Sequence, residues 1–265
     1  MEGIVTGAAA LQPRLARVFN AAGIRVREGY GQTETSPVLC FNRFEEGDYR
    51  IGTVGPAIPG VEIRIAENGE ILAKGPNIML GYYKRTDLTQ ETIDNDGWLH
   101  TGDVGQWIEG RFLKITDRIK ELFKTSGGKY VAPQPLENKM KESHFIDQIM
   151  VVGDGQKFVA ALIQPAFDNA LKWAAENGHD IKSAEDVAKS KIIRTRIRED
   201  IDKFNRDFSH VEQIKDFRMV PDVWSVESGE LTPTMKLRRK VVLEKYRGVV
   251  EEIYGNRVSG IEYKV

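Results

Sequence analysis

Residues 61–75 read VEIRIAENGEILAKG. Apolar and polar residues alternate on both sides of Asn68-Gly69, and this dipeptide between two alternating runs is the strongest short-range signal for a β-hairpin. A second hairpin is predicted over residues 104–118, VGQWIEGRFLKITDR, with its turn near Gly110. Because the two hairpins lie so close along the chain, we expect a small antiparallel sheet or barrel.

The residues before these hairpins have the pattern of a partial α/β layer. Residues 4–6 are predicted to form a short buried strand, and apolar residues then recur at helical spacing over 11–22. A second strand begins near Ile24 and Val26 and runs into a loop at Gly29. This order of strand, helix, strand and loop predicts a functional loop at the carboxyl end of a strand.

The residues after the hairpins predict a compact α+β domain with its own core. A linker that is rich in Gly and Pro at its far end covers 117–133, so we place the domain boundary at about 117–121. The elements predicted beyond it are a helix over 135–143, strands over 146–152 and 157–164, and helical patterns over 167–177, 184–207 and 235–254.

The composition is that of an ordinary globular protein. Apolar residues make up 41% of the chain, which is enough for a hydrophobic core, and the net charge of −1 favours no nucleic acid partner. A single cysteine, Cys40, excludes a disulfide framework and fits a reducing compartment. No apolar run is long enough to span a bilayer. We therefore expect a cytoplasmic protein. Peripheral membrane association of the full-length form is compatible with this expectation.

The string YGQTET at 30–35 carries groups that suit a site for ATP. Tyr30 offers a ring face for adenine, and Thr33 offers a hydroxyl beside the turn at Gly31, where a backbone without Cβ can approach phosphate. Glu34 is a hard oxygen ligand of the kind that Mg²⁺ prefers. On these residues alone, an ordinary polar loop remains the alternative.

Two further strings provide groups that bind oxygen atoms. In GWLHTGD (97–103), Asp103 follows Gly102, and a carboxylate that accepts from ribose hydroxyls is a recurrent solution for nucleotide sugars. In DRIKELFK (117–124), Arg118 carries a rigid fork of donors that suits ribose or phosphate oxygens. The alternatives are a turn that leads into a strand and a plain interdomain linker.

Lys236 lies in a loop rich in Thr and Pro, LTPTMKLRRK at 231–240. Its ammonium group could stabilise the charge that develops when a carboxylate attacks an α-phosphate. The alternative is a solvated basic start to the final helix, since three more basic residues follow.

In this order and at these distances, the strings resemble those of the adenylate-forming acyl-CoA synthetases, and their details are similar to the long-chain fatty acyl-CoA ligase branch. The resemblance implies that Thr33, Glu34 and Lys236 are catalytic, with Glu34 helping to hold Mg²⁺. TGAA at 6–9 is similar to a strand end that lines the adenine pocket. The nucleotide-binding residues implied are Gly7, Ala8, Ala9, Tyr30, Gly31, Asp103 and Arg118.

The resemblance also divides the chain at a hinge. It implies that residues 1–117 are the C-terminal portion of a large AMP-binding domain, that 118–265 form a small mobile domain, and that Lys120, within 118–120, is the hinge. Gly127-Gly128 are implied to guide the pantetheine arm of CoA. Many relatives carry Asp at the hinge position, so Lys120 favours the long-chain branch.

The function implied is ligation of a long-chain fatty acid to CoA through an acyl-adenylate, with ATP, Mg²⁺ and CoA. Another adenylating ligase, for short-chain or aryl acids, remains an alternative. So does a non-catalytic fragment that binds nucleotide or CoA.

The phosphate-binding loop expected for such an enzyme is absent from the 265 residues. We therefore expect the chain to be the C-terminal part of a typical member, to be inactive alone, and to need the N-terminal half as its partner. An apolar surface that this half normally covers is expected within residues 1–30.

Overall fold

The computed structural model describes residues 3–7 and 9–255. The chain divides into two compact units between Glu121 and Leu122. The first unit holds an α/β layer and an antiparallel sheet, and the second unit is an α+β domain. The predicted fold class is confirmed.

The first unit begins with a strand, a helix and a strand. β1 (Ile4–Thr6) pairs in parallel with β2 (Val26–Tyr30), and α1 (Pro13–Ala21) connects them. The helix starts two residues later than predicted, because Pro13 lacks an N–H and suits the first helical position. β3 (Cys40–Phe41) pairs with β2 in the antiparallel direction.

β1 is less buried than its apolar sequence predicts. Ile4 and Val5 are 41% and 61% exposed, so the prediction of a buried strand is wrong. The expectation of an apolar surface within residues 1–30 is confirmed, since other apolar side chains are exposed as well: Leu15, Val18, Phe19 and Ile24.

The antiparallel sheet contains the two predicted hairpins, which are both confirmed. Its strands, in spatial order, are β4 (Glu62–Ile65), β5 (Glu70–Lys74), β6 (Leu99–Ile108) and β7 (Phe112–Arg118). Gly69 and Gly110 lie in the turns with φ of +86° and +67°, a backbone conformation that glycine adopts without strain. α2 (Thr86–Thr92) lies between β5 and β6 along the chain. It has no buried residue, which explains why its sequence lacks the helical spacing of apolar residues that would have predicted it.

The second unit begins with a short hairpin of β8 (Phe123–Lys124) and β9 (Tyr130–Val131), followed by α3 (Pro133–Met140). In its main sheet, β10 (Ile146–Val152) is antiparallel and β12 (Ile214–Met219) is parallel to the central β11 (Val159–Pro165). The remaining helices are α4 (Phe167–Glu176), α5 (Ala184–Lys189), α6 (Lys191–Asn205), α7 (Arg239–Lys245) and α8 (Arg247–Tyr254).

Each face of this main sheet packs on a separate apolar core, because successive side chains of a strand point to opposite faces. Ile149 belongs to one cluster with Ile197 of α6, whereas Met150 belongs to the other with Val250 of α8. β11 is buried along its whole length, which explains its nearly continuous apolar sequence.

Two of the predicted helical patterns are each divided into two helices in the structure, and the helix predicted over 135–143 is Pro133–Met140. The pattern over 184–207 is two helices, because Ser190 is extended and its side chain caps α6 by accepting from Ile193 N at 3.3 Å. The pattern over 235–254 becomes helical only at Arg239 and is divided at Tyr246. Over the described ranges, no helix is both long and apolar enough to cross a bilayer.

A largely buried ion pair joins α3 to α7. The Glu137 carboxylate accepts from Arg239 Nη2 at 2.6 Å and from Val151 N at 2.7 Å. Burial raises the pKa of Glu137, and the positive charge of Arg239 opposes this effect. The pair fixes the start of α7 against β10.

We expect Glu137→Ala to lower the free energy of unfolding of the second unit by about 3 kcal/mol. This is the lower end of the range for a broken buried pair, because the Arg239 side chain is still 20% exposed. Urea unfolding followed by tryptophan fluorescence measures the effect. Glu137→Gln keeps an acceptor for Val151 N, so its free energy of unfolding should fall less than that of Glu137→Ala. Unchanged stability of Glu137→Ala would contradict this role for the pair.

Candidate active site

Asp103 is the centre of a polar cluster in the first unit. It lies on β6 opposite Arg118 of β7, and the residue is only 5% exposed. Its Oδ2 accepts from the Tyr30 hydroxyl at 2.7 Å and from Gln32 Nε2 at 2.8 Å. Its Oδ1 accepts from Arg118 Nε at 3.1 Å. The structure thus brings together three of the residues assigned to the nucleotide, although they lie far apart in sequence.

The electrostatics of this cluster suit a neutral phenol beside a carboxylate. Burial, followed by the charge of Asp103, raises the pKa of Tyr30 well above its usual range. Tyr30 therefore stays protonated and donates. The Arg118 side chain is 55% exposed, so a ligand oxygen can reach its guanidinium group.

Glu70 fixes the backbone that presents Asp103. Its Oε1 accepts from Gly102 N at 3.0 Å, and its Oε2 lies 2.9 Å from His100 Nδ1. Thr101 adds a second constraint, since its hydroxyl donates to the Ile71 carbonyl at 2.7 Å. Sequence reasoning missed Glu70, because a Glu after an Asn-Gly turn looks like an ordinary solvated hairpin residue. In the structure it is 8% exposed.

The YGQTET string forms a tight turn after β2. Thr33–Thr35 is a single 3₁₀ turn, and the buried Thr35 side chain accepts from Gln32 N at 2.9 Å. A Cβ at Gly31 would lie 1.7 Å from the Pro37 carbonyl oxygen, so only glycine fits there. Thr33 is exposed, and its contact with phosphate stays a prediction.

Glu34 is held at both its backbone and its side chain. The Tyr82 hydroxyl donates to Glu34 Oε1 at 2.8 Å, and Met79 N donates to the Glu34 carbonyl at 2.9 Å. The hydrogen bond to Glu34 raises the pKa of Tyr82. Sequence reasoning missed Tyr82, since no local pattern connects it to a residue 48 positions away.

The residues around Glu34 fit Mg²⁺ only as part of a nucleotide complex. Among the described residues, no group of three or more His, Cys, Asp or Glu side chains could hold a metal ion. Mg²⁺ is commonly bound by one or two carboxylates together with substrate phosphates and water. A single oriented carboxylate beside the exposed Thr33 hydroxyl matches that pattern.

The TGAA string begins at Thr6, the last residue of β1, at the same sheet edge as the YGQTET string. Thr6 pairs with Glu28, so Gly7 lies beside Gly29, and an ideal Cβ on Gly7 would be 3.5 Å from the Gly29 carbonyl oxygen. Ala9 is exposed. Ala8, also assigned to the nucleotide, lies outside the described residues.

We expect Gly31→Ala to destabilise the first unit by about 1–3 kcal/mol and to displace the turn that carries Thr33. The physical reason is the overlap of the new methyl group with a backbone carbonyl, which cannot rotate away as a side chain could. Thermal unfolding followed by circular dichroism measures the loss. Gly248→Ala is the matched control, because its Cβ would meet no atom within 4 Å. Equal melting temperatures for both variants would show that the turn adapts.

The chain at Lys120 forms a turn at the end of β7. Glu121 N donates to the Arg118 carbonyl at 3.0 Å, and Ile119 N donates to the Gly102 carbonyl at 2.9 Å. Lys120 is exposed and lies just before the division between the two units. Its role as a hinge stays a prediction.

Gly127 and Gly128 lie in the turn of the β8–β9 hairpin. Gly128 N donates to the Thr125 carbonyl at 2.8 Å, and Gly128 has a φ of +79°. Both glycines are exposed, and the nearest atom to a Cβ on Gly127 would be 3.9 Å away. The turn is therefore open to a ligand, and its assignment to CoA stays a prediction.

Lys236 is an exposed residue of a small hairpin loop in the second unit and lies next to the base of the loop. Leu231 and Leu237 pair at the base of the loop. Thr232 N donates to the Lys236 carbonyl at 2.8 Å, and Lys236 N donates to Thr232 Oγ1 at 3.0 Å. The alternative, a basic start to the final helix, does not describe this residue, since α7 begins at Arg239.

Comparison with known proteins identifies the class to which this fold and these strings belong. The family model described as AMP-binding enzyme matches residues 1–83, and the model described as AMP-binding enzyme C-terminal domain matches residues 121–258. The chain belongs to the AMP-binding enzyme family, and the resemblance found in the sequence is confirmed.

Among curated relatives, the chain is 40% identical over 251 residues to the long-chain-fatty-acid–CoA ligase FadD15 of Mycobacterium bovis, covering 94% of this chain and 41% of the relative. It is 35% identical over 266 residues to human long-chain-fatty-acid–CoA ligase 1, covering 95% of this chain and 38% of the relative. The chain thus spans about two fifths of the length of these relatives.

Solved structures show the same fold. The adenylation domain of a carboxylate reductase from Mycobacterium chelonae matches with a TM-score of 0.75 and 23% identity, covering 95% of this chain and 38% of that one. An ATP-bound RpMatB-BxBclM chimera matches with a TM-score of 0.71 and 25% identity, covering 93% of this chain and 46% of that one.

Proposed function

We propose that this chain is the part of a long-chain fatty acid–CoA ligase that binds the nucleotide and supplies the adenylating lysine. The observation that carries the proposal is the Asp103 carboxylate, which is held by Tyr30, Gln32 and Arg118. Such a fixed acceptor beside an accessible guanidinium suits the hydroxyls of a ribose. The names of the curated relatives support the choice of a fatty acid as the second substrate.

In the first step, a carboxylate oxygen of the fatty acid attacks the α-phosphorus of ATP. The new O–P bond forms as the bond to the pyrophosphate leaving group breaks. Lys236 stabilises the extra negative charge, and Thr33 donates its hydroxyl to a phosphate oxygen. Glu34 is the residue that would hold Mg²⁺, and the ion would supply neutralisation of phosphate charge there. Asp103 and Arg118 hold the ribose throughout.

In the second step, the CoA thiol forms a C–S bond to the acyl carbon as the C–O bond to AMP breaks. AMP leaves with that electron pair, and the thiol proton is released to water. The open turn at Gly127-Gly128 guides the pantetheine arm towards that carbon. Lys236 has no part in this step. A rotation at Lys120, which leaves Arg118 with Asp103 and moves the domain that follows the hinge, exchanges the lysine loop for the CoA turn.

The proposed activity needs the rest of the length that the curated relatives have. The phosphate loop and most of the acyl pocket belong to that N-terminal half, which is the chain's partner in catalysis. The complete enzyme is proposed to act in the cytoplasm and to associate with membranes at their surface, where long-chain fatty acids partition.

The test uses this chain joined to the N-terminal part of the Mycobacterium bovis relative, here termed the FadD15 chimera. ATP, Mg²⁺ and CoA are supplied with acetate, benzoate or hexadecanoate, and thioester products are measured by mass spectrometry. We expect hexadecanoyl-CoA to be the main product. A dominant acetyl or benzoyl thioester would instead support a short-chain or aryl ligase.

A second candidate function is nucleotide binding without catalysis. The observation that favours it is that Tyr30, Gln32 and Arg118, the three partners of the Asp103 carboxylate, all belong to this chain. Titration calorimetry of the 265-residue chain with AMP tests it. Binding that Asp103→Ala abolishes, without any product from the FadD15 chimera, would support this candidate over the ligase.

A further inference from the structure

A buried carboxylate lies directly before the loop that carries Lys236. Glu230 is 1% exposed, and its Oε1 accepts from Lys245 Nζ at 2.8 Å. Its Oε2 accepts from the hydroxyl of Ser228. A buried Glu is rarely found unless it is paired, so this one requires an explanation.

The two residues of the ion pair lie before and after the lysine loop in the sequence. Glu230 comes immediately before the loop, whereas Lys245 is the last residue of α7, the helix that follows it. The backbone closes the same base, because Arg238 N donates to the Glu230 carbonyl at 2.7 Å. Leu231 is 2% exposed and anchors the base in the apolar core. The loop therefore has a rigid base and an exposed end.

We propose that the Glu230–Lys245 ion pair is a positioning device for Lys236, which holds the base of the loop so that the ammonium group has one approach to the α-phosphate. The proposal rests on the proposed function of Lys236 as the adenylating lysine. Glu230 and Lys245 are positioning residues and touch no substrate.

The charge states support a permanent pair. Burial alone would raise the pKa of Glu230, but the hydrogen bonds from Lys245 and Ser228 lower it to about 2. The hydrogen bond with Glu230 raises the pKa of Lys245 in turn. Lys245 also lies 3.5 Å from Asp222, whose carboxylate accepts from the Tyr246 hydroxyl at 2.6 Å. Both charges thus remain at any pH at which the enzyme works.

The first experiment measures amide hydrogen exchange of the 265-residue chain, where no catalysis is needed. We expect Glu230→Gln and Lys245→Met to accelerate exchange in the peptide covering 231–237 by at least about 10-fold, because local opening now costs about 1.4 kcal/mol less. Lys240→Met, an exposed site on the same helix, is the matched control. Unchanged exchange in both variants, or equal acceleration across the whole second unit, would overturn the proposal.

The second experiment measures both half-reactions in the FadD15 chimera. We expect Glu230→Gln and Lys245→Met to lower kcat for adenylate formation on the order of 10-fold to 100-fold with little change in the KM for ATP. Transfer to CoA from supplied acyl-adenylate should be unaffected. An equal fall in the rates of both half-reactions would show that the pair has only a structural role. If the chimera without substitutions forms no adenylate, the proposed function fails, while the exchange experiment still decides whether the pair holds the loop.

Discussion

Lys236→Ala in the FadD15 chimera is expected to lower the rate of acyl-adenylate formation by about 10² to 10³. The physical reason is the loss of an aligned positive charge at the point where the attacking carboxylate and the α-phosphate accumulate negative charge. Lys236 is an exposed residue on a loop with a fixed base, so its removal disturbs no core packing. Quenched-flow measurement of hexadecanoyl-AMP gives the rate.

The same variant should transfer the acyl group from supplied hexadecanoyl-AMP to CoA at nearly the normal rate, because the lysine takes no part in thioester formation. Lys240→Ala removes an exposed lysine four residues further on and should leave both steps unchanged. Equal losses in the two half-reactions of Lys236→Ala would indicate a structural role and remove the lysine from the mechanism.

Lys120→Pro is expected to show the opposite pattern, with adenylate formation retained and CoA transfer lowered severely. Proline fixes φ near −65° and also restricts the residue before it, which is Ile119. Here Ile119 N is bound to the Gly102 carbonyl at 2.9 Å, so the segment is tied to β6 on one side. A hinge at Lys120 would then be confined to one arrangement. Single-turnover measurement of each half-reaction in the FadD15 chimera tests this.

Lys120→Ala separates the loss of charge from the loss of backbone freedom and should leave both steps close to normal. The affinity for ATP should change little in the proline variant, because Arg118 remains paired with Asp103 in β6 and β7. Normal CoA transfer by Lys120→Pro would rule out rotation at this residue, and a two-state mechanism would then need another pivot.

The parts of the fold that could be predicted are those that local sequence patterns specify. Asn68-Gly69 predicts its hairpin because the turn geometry demands those residue types. β12 could not be predicted, because the charged residues in IKDFRM conceal a strand. Asp216 at its centre is paired with Arg194 at 2.7 Å and Arg218 at 2.9 Å, and these partners become visible only in three dimensions.

The candidate site shows the same limit. Tyr30, Asp103 and Arg118 could be proposed from strings whose chemistry suits a nucleotide, and the family resemblance added their roles. Glu70 and Glu230 could not be proposed from the sequence. Each positions nearby segments of the same chain through contacts that no local pattern shows. A carboxylate in a polar stretch is usually solvated, so only its burial distinguishes a residue that positions others.

The most direct test of the ligase function is exchange of labelled pyrophosphate into ATP by the FadD15 chimera in the absence of CoA. This reaction reports reversible adenylate formation alone. We predict exchange that requires both Mg²⁺ and hexadecanoate and that is lost in Lys236→Ala. A folded chimera that catalyses no exchange, or exchange that proceeds equally without fatty acid, would contradict the assignment of this chain to a fatty acid–CoA ligase.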